Sequence, residues 1–204
     1  MTRETAFDEI YDSQAVFRVL LDALSRPGSV LQLPQVQYPG APKGFCRPAL
    51  SVLKTLCDHR VTFAVGSAMR TADLVRYLEI NLATRHETTG EADYALFDGR
   101  TYDDDFRRLK RGTAEVPETS ATALVCVDWL AEGRADRPEP SFRAGLAGPG
   151  IEGRTVLHAV GLHPGYVAAR AQATRGYPEG IDLLLVDTSG RLAGIPRTTS
   201  VEAV

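Results

Sequence analysis

Helix-type and strand-type patterns alternate along this sequence. The first segment repeats apolar residues at helical spacing: Phe17, Leu20, Leu21 and Leu24. Short apolar runs such as Val61–Val65 and Ile181–Val186 are instead typical of buried strands. This alternation predicts an α/β fold, and we expect three α/β/α layers around a mixed sheet.

The predicted elements run the length of the chain. Helices are predicted at about 12–25, around Pro48, and at 71–83, 103–111 and 164–174. Strands are predicted at 30–33, 61–65, 94–97, 121–127, 141–146, 155–160, 181–186 and 191–195. Asp12 is the expected N-cap of the first helix. The best internal boundary is 133–140, but neither side is self-sufficient, so we predict a single domain over 1–204.

Composition excludes several classes of protein. The chain has 204 residues, 44% of them hydrophobic and 24% charged, with a net charge of −3. These values are typical of a globular domain and give no reason to expect nucleic acid or a membrane surface as a partner. No long apolar run and no export-signal pattern at Met1–Ile10 are present. Three cysteines without a C-x-x-C pair argue against a disulfide framework, so a cytoplasmic location is expected.

Two catalytic-type motifs have simpler structural interpretations. Gly148–Gly153 matches G-x-G-x-x-G, but strand-type residues follow it, so a tight turn between two strands is favoured over a dinucleotide site. Ser51 and Lys54 match S-x-x-K, but both are expected on the polar side of a helix. The scattered histidines and cysteines predict no metal site.

The 103–111 segment is predicted as a charged helix. Acidic residues come first and basic residues last, which complements the helix dipole. The spacing predicts i,i+4 ion pairs of Asp103 with Arg107 and of Asp104 with Arg108.

An anion site is a further candidate. Arg26 stands in Arg-Pro-Gly at a predicted helix end, and Arg197, Thr198 and Thr199 follow the last predicted hairpin. Arginine beside paired hydroxyls suits a phosphate-like anion. Arginine and proline are also common at turns, so both interpretations stay open.

Several segments together resemble the PhnH family of bacterial phosphonate metabolism. They are the helix-and-stop at Phe17–Gly28, the glycine turn at 148–151, Tyr177–Asp182 and Gly194–Thr199. The resemblance extends from the first helix nearly to the last residues.

The resemblance implies a non-catalytic or accessory subunit of the carbon–phosphorus lyase core complex, with subunits G, I and J as partners and a homodimer when isolated. That complex transfers ribose triphosphate from a nucleoside triphosphate to an alkylphosphonate such as methylphosphonate. The resemblance also implies a fold similar to the large domain of pyridoxal-phosphate-dependent transferases, without the cofactor. It brings no catalytic, cofactor-binding or metal-binding residues, and no activity of the chain alone is expected.

The sequence agrees with the absence of pyridoxal phosphate, because only Lys43, Lys54 and Lys110 could form a Schiff base and none has a suitable predicted position. Two alternatives stay open. One is a stand-alone transferase that binds a phosphate ester with an Arg/Thr anion site. The other is a degenerate pyridoxal-phosphate enzyme.

Overall fold

A computed structural model describes residues 7–39, 41–133 and 141–204. Within these residues the α-helices are α1 (Tyr11–Ser25), α2 (Arg47–Leu56), α3 (Ala72–Leu82) and α4 (Pro164–Ala173), and 3-10 helices occupy Asp104–Arg108 and Pro117–Thr119. The strands are β1 (Leu31–Gln32), β2 (Thr62–Val65), β3 (Arg85–His86), β4 (Tyr94–Asp98), β5 (Thr122–Val127), β6 (Trp129–Glu132), β7 (Ser141–Ala147), β8 (Thr155–Val160), β9 (Asp182–Asp187), β10 (Arg191–Ile195) and β11 (Ser200–Ala203).

Seven of these strands form the main sheet, in the order β1-β10-β9-β5-β4-β2-β3. Neighbouring strands are parallel except at β10, which runs antiparallel to both β9 and β1. The predicted α/β class with a mixed sheet is therefore confirmed, and so is the hairpin formed by β9 and β10.

The main sheet separates two apolar cores. Alternate residues of β9 face opposite sides: Leu184 and Val186 pack with α1, α2 and α3, while Leu183 and Leu185 pack on the other side. That second side is covered by α4, the 3-10 helix at Asp104–Arg108 and a second sheet. The third layer therefore mixes helix and sheet, which corrects the expectation of a purely helical layer.

The second sheet is antiparallel and has four strands in the order β11-β7-β8-β6. Strands β7 and β8 and the glycine turn between them were predicted, and this confirms the turn interpretation of Gly148–Gly153. Strands β6 and β11 were not predicted. Both are four residues long and pair only with strands distant in sequence, so neither has a local signal.

Helix α1 begins differently from the prediction. Asp8, not Asp12, caps the helix, because its Oδ1 accepts hydrogen bonds from the backbone N–H groups of Ile10 (2.9 Å) and Tyr11 (2.9 Å). Asp12 lies inside the helix, buried, and its Oδ2 accepts from the N–H of Asp8 at 2.8 Å. The predicted N-cap at Asp12 is therefore wrong, since Asp8 reaches the free N–H groups one turn earlier.

The predicted helix at 103–111 is shorter and more tightly wound. Asp103 turns its carboxylate to the backbone N–H of Ala68 and the hydroxyl of Ser67, and a 3-10 helix follows. Three residues per turn bring Phe106 and Leu109 to the same buried side. The predicted i,i+4 ion pairs are replaced by i,i+3 pairs, Asp104 with Arg107 at 3.7 Å and Asp105 with Arg108 at 3.3 Å.

The remaining features concern the ends of elements. Pro48 lies in the first turn of α2, as predicted, and the Thr71 hydroxyl caps α3. Residues 134–140, most of the predicted boundary, lie outside the described residues. Among the described helices, none combines the length and apolarity that a membrane span requires.

Candidate functional site

Among the described residues polar side chains collect at several places, two of which bear on the predicted site. The first is the edge where the parallel strands β4, β5 and β9 end, which is where open α/β sheets commonly bind ligands. The strand-end cavity there has a volume of about 40 Å³, and its lining includes Cys46, Asp98, Arg100, Cys126 and Asp128. A drug-sized ligand needs roughly 300 Å³ or more, so this cavity is too small for a nucleotide.

Loops close the strand ends around this cavity. Gly99 follows β4, and a Cβ there would lie 2.5 Å from the carbonyl oxygen of Gly161 and 2.7 Å from that of Cys126. A side chain at position 99 would therefore displace two backbone segments. The close approach of these loops accounts for the small volume of the strand-end cavity.

The carboxylates at the strand ends are used to hold loops. Asp187 is fully buried; it accepts from the Nε of Arg191 at 2.6 Å and from the N–H of Leu130 at 3.2 Å. Asp128 Oδ1 accepts a hydrogen bond from the Nε of Arg100 at 3.1 Å. Because these two carboxylates are paired with arginines, they are poorly placed to act as general bases.

The Ser51–Lys54 motif also has structural contacts. The Oγ of Ser51 is hydrogen-bonded to the hydroxyl of Tyr38 at 2.8 Å, and Ser51 is buried rather than on the polar side of its helix. The Nζ of Lys54 donates to the carbonyl of Asn81 at 2.9 Å. Ser51 is thus not on the polar side where it was predicted, because Tyr38 gives its hydroxyl a buried partner.

The second place is the turn from Pro196 to Thr199, between β10 and β11. The guanidinium of Arg197 pairs with Asp182, with 2.7 Å between Nη2 and Oδ2, and its Nη1 donates to the carbonyl of Pro117 at 2.6 Å. Thr198 is exposed. Thr199 is 2% exposed, and its Oγ1 has no hydrogen-bond partner among the residues that the structure describes. Depressions of about 350 and 420 Å³ flank this turn, and Arg197 and Thr198 line both.

Arg26 is separate from these residues. It forms an exposed ion pair with Asp22, one helical turn earlier, at 3.1 Å, and it lines neither depression. The structure thus brings together Arg197, Thr198 and Thr199 of the predicted anion-binding set and leaves Arg26 outside.

Sequence reasoning missed Arg170. This arginine of α4 is 1% exposed, and it donates to the carbonyl of Thr199 at 3.0 Å and to that of Pro196. Burial lowers the pKa of its guanidinium to about 10, although Asp182 nearby favours the charged form. Its neighbours on α4, Ala169 and Ala173, are small and buried. A lone arginine within a small apolar helix face was the available signal.

Close glycine contacts join the end of α1, the β7–β8 turn, the start of β9 and the 196–199 turn; we call this assembly the turn cluster. A Cβ at Gly150 would lie 2.2 Å from the carbonyl oxygen of Ser25, and one at Gly148 would lie 2.9 Å from that of Thr198. A Cβ at Gly180 would meet Arg197 at 3.1 Å, and one at Gly194 would meet the carbonyl of Ala23 at 2.7 Å. The segments quoted for the family resemblance therefore pack on one another.

The described residues include no group of three or more histidine, cysteine, aspartate or glutamate side chains arranged to hold a metal ion. Fold and site together define an α/β protein with a mixed seven-stranded sheet and a glycine-rich turn cluster built around two arginines. The chain belongs to the family described as bacterial phosphonate metabolism protein (PhnH), whose family model matches residues 5–202. The predicted family membership is confirmed.

Two curated relatives match nearly the whole chain. Alpha-D-ribose 1-methylphosphonate 5-triphosphate synthase subunit PhnH of Rhizobium meliloti (strain 1021) is 30% identical over 196 residues, which cover 96% of this chain and 92% of the relative. The protein of Stutzerimonas stutzeri named "Putative C-P lyase subunit protein HtxG" is 33% identical over 188 residues, covering 92% of this chain and 85% of that protein.

Proposed function

We propose that this chain is an accessory subunit of a carbon–phosphorus lyase complex in bacterial phosphonate catabolism. In this role it supports the transfer of ribose triphosphate from a nucleoside triphosphate to an alkylphosphonate such as methylphosphonate. It works in the cytoplasm with subunits G, I and J, and it forms a homodimer when isolated. Both curated relatives carry the word subunit in their names, which supports a role within an assembly.

The observation that carries the proposal is an exposed apolar stripe on α1. Phe17 and Leu21 are 47% and 52% exposed and lie one helical turn apart on one side of α1, and Ile10, the residue before the helix, is 75% exposed. Leu20, predicted on the same face, is buried instead. The predicted apolar face is therefore divided between the core and the surface.

Such a stripe suits a protein partner. Contiguous exposed apolar side chains on soluble proteins mark interaction surfaces, and an amphipathic helix docks through residues at this spacing. Arg18 and Asp22 are exposed beside the stripe and give it a charged rim. We propose that the apolar stripe of α1 contacts another subunit of the complex.

Co-expression with subunits G, I and J tests both parts of the proposal. We expect the wild-type chain to co-purify with the other three on size-exclusion chromatography. The double variant Phe17→Asp/Leu21→Asp should be lost from the complex, because two carboxylates would be buried without partners in the interface. Failure of the wild-type chain to co-purify would contradict the subunit role itself.

Ile80→Asp is the matched control. Ile80 is 71% exposed on α3, outside the stripe, so its replacement should leave co-purification unchanged. A double variant that has a native circular dichroism spectrum and still co-purifies would contradict the stripe as the contact while leaving the subunit role standing.

The accessory role also rests on the small strand-end cavity and on its paired carboxylates. We expect the isolated chain, given a nucleoside triphosphate and methylphosphonate, to release no base, and the complete complex to release it. Release of base by the isolated chain would favour an enzyme in its own right. Light scattering of the isolated chain tests the proposed homodimer.

We further propose that the fold is similar to the large domain of pyridoxal-phosphate-dependent transferases, without the cofactor. A sheet in which only β10 opposes the other strands supports the likeness. Lys54 donates to Asn81, Lys110 pairs with Asp93 at 2.5 Å, and Lys43 is exposed, so none lines the strand-end cavity. A yellow purified protein whose absorbance disappears on borohydride reduction would contradict the absence of the cofactor.

The alternative proposal is a stand-alone transferase with an anion site at Arg26, Arg197, Thr198 and Thr199. The two depressions beside Arg197 and Thr198 favour it, whereas the pairing of Arg197 with Asp182 and the distinct position of Arg26 weigh against it. Calorimetric titration with inorganic phosphate tests it. Binding that weakens in Thr198→Ala, which leaves the Arg197 ion pair intact, would support the anion site, and no heat of binding would contradict it.

A further inference from the structure

Helix α2 has a cysteine at each end. Cys46 is the residue before its first turn, and Cys57 is the residue after its last. The third cysteine, Cys126, lies near the end of β5. Cys46 and Cys126 both line the strand-end cavity together with Met69 and Arg100, and Cys57 does not. The fold thus brings together two thiols that are far apart in sequence.

The two thiols lie at the same small cavity and influence each other's ionisation. The neighbouring Cys126 thiol is the largest influence that lowers the pKa of the Cys46 thiol. The backbone N–H of Ala49, in the first turn of α2, and the Arg100 guanidinium act in the same direction. Burial and Asp187 oppose them. The neighbouring Cys46 thiol, together with burial, raises the pKa of Cys126.

The charged side chains that line the cavity are two carboxylates and one guanidinium. Asp98 and Asp128 line it as well, and Asp128 is paired with Arg100 at 3.1 Å. The Arg100 guanidinium at the cavity is therefore already paired with the Asp128 carboxylate. The neighbouring Cys126 thiol is the largest of the influences that favour the Cys46 thiolate.

Cys57 has the opposite environment. Burial, followed by the carboxylates of Asp93 and Asp58, raises the pKa of its thiol to about 12. A thiolate is favoured at a helix N-terminus and beside an arginine, and disfavoured in apolar surroundings. The chain therefore contains a thiol whose ionisation is favoured, a second thiol at the same cavity and a third thiol whose surroundings disfavour ionisation.

We propose that Cys46 and Cys126 form an oxidisable dithiol, a modification site at which hydrogen peroxide converts the pair into a disulfide. The thiolate of Cys46 attacks a peroxide oxygen, the O–O bond breaks, and the departing hydroxide takes up a proton to become water. Cys46 is then a sulfenic acid.

The sulfur of Cys126 completes the reaction. It attacks the sulfur of the sulfenic acid, the S–O bond breaks, and water leaves with the thiol proton as the S–S bond forms. In total the two thiols lose two electrons and peroxide is reduced to two molecules of water. The disulfide links the segment before α2 to β5 across the strand-end cavity, and a dithiol reductant reverses it.

Peroxide titration followed by peptide mapping tests the proposal on the intact chain. We expect two of the three thiols to disappear together, with a Cys46–Cys126 disulfide peptide that dithiothreitol removes. Phenylarsine oxide, which needs two adjacent thiols, should bind the untreated protein in one-to-one ratio. A protein with a native circular dichroism spectrum that forms no such peptide and binds no arsenical would overturn the proposal.

Variants assign the roles. Cys57→Ala is the matched control and should form the disulfide as the wild type does. Cys126→Ser should stop at a sulfenic acid on Cys46 that dimedone traps, and Cys46→Ser should form neither product. At neutral pH, iodoacetamide should modify Cys46 at least ~10-fold faster than Cys57. Equal labelling of the two in the folded protein, or dimedone adducts mainly on Cys126, would contradict the assigned roles.

Discussion

His86 shows how a single residue links the folded state to pH. It lies on β3 at the edge of the main sheet, its ring edge-on to that of Phe63 with centroids 5.4 Å apart. Its Nε2 is buried and has no hydrogen-bond partner. Burial, and then the Arg70 guanidinium, lower the pKa of His86 below its ordinary value of 6.5, although Glu79 and Glu87 act in the other direction. The folded protein therefore prefers the neutral imidazole.

This preference has a definite sign. As the pH falls through 6.5 the unfolded chain binds a proton at this residue and the folded chain does not, so the free energy of unfolding decreases until the pH passes the folded-state pKa. We expect His86→Asn to lose less stability than the wild type between about pH 7 and pH 5 in urea titrations. His59→Asn, at an exposed histidine, should retain the wild-type pH dependence. An unchanged pH dependence in His86→Asn would contradict this account.

Arg170 and Asp8 show where residue types alone were insufficient. Aspartate is favoured at N-caps, so Asp12 was predicted there. The structure shows instead that the side chain of Asp8 reaches the free N–H groups. Arg170 is charged and would be expected at the surface, yet its two carbonyl acceptors belong to a turn 26 to 29 residues later in the chain. The Asp8 contacts are local, within four residues, whereas the acceptors of Arg170 are brought to it only by folding.

At the scale of elements, the β7–β8 turn is fixed by its contact with the end of α1. Gly150 has φ +82° and would place a Cβ 2.2 Å from the carbonyl oxygen of Ser25. Gly153, in the same turn, has φ +71° with nothing within 4 Å of its would-be Cβ. Substitutions at these two glycines therefore separate the cost of the left-handed backbone from the cost of steric overlap.

We expect Gly153→Ala to cost about 1 kcal/mol of unfolding free energy, from the left-handed backbone alone. Gly150→Ala should cost about 3 kcal/mol or more, because overpacking against α1 is added. Urea unfolding curves of the two variants provide the comparison. Equal losses would mean that α1 moves away from the turn at little cost.

The elements themselves were largely predictable. The four α-helices and the long strands have strong periodicity or an apolar run, whereas β3, β6 and β11 are short and pair with distant strands. The 103–111 segment was predicted as an α-helix because its charges suit one. Its tighter winding follows from Asp103 binding to the loop after β2 and from two buried apolar residues three positions apart.

The candidate site was less accessible to sequence reasoning. Arg197, Thr198 and Thr199 are neighbours in sequence and stay together in the fold, whereas Arg26 was added by residue type and lies elsewhere. Cys46 and Cys126 line the same cavity although they are 80 positions apart in the sequence, so no motif indicates the pair. Sequence spacing identifies sites that are formed by neighbouring residues. Sites formed by residues distant in sequence depend on the order of the strands in the sheet.

At the scale of the whole molecule, one apolar core joins the two sheets. Leu130 of β6 and Leu146 of β7 are fully buried in the same cluster as Phe97 and Val125 of the main sheet. The single tryptophan, Trp129, lies on β6 with the Arg191 guanidinium 5.2 Å from the centre of its ring. We propose on this basis that the chain is a single domain.

A single domain should unfold in one cooperative step. We expect the urea transitions followed by Trp129 fluorescence and by far-ultraviolet circular dichroism to coincide. Leu130→Ala opens a cavity between the sheets and should lower the free energy of unfolding by about 3 kcal/mol. The urea midpoints of both transitions should fall together. An earlier fluorescence transition would indicate that the second sheet is a separate folding unit.

The position of β10 sets the order in which the chain can fold during its synthesis. Strand β1 reaches the main sheet only through β10, its one partner there, and β10 begins 159 positions after β1 ends, Gln32 to Arg191. Arg170 likewise finds its acceptors only in Pro196 and Thr199. While the ribosome still holds residues 191–199, β1 has no strand to join and Arg170 no carbonyls to bind. Strand β1 is therefore made early but can join the main sheet only after β10 has been made.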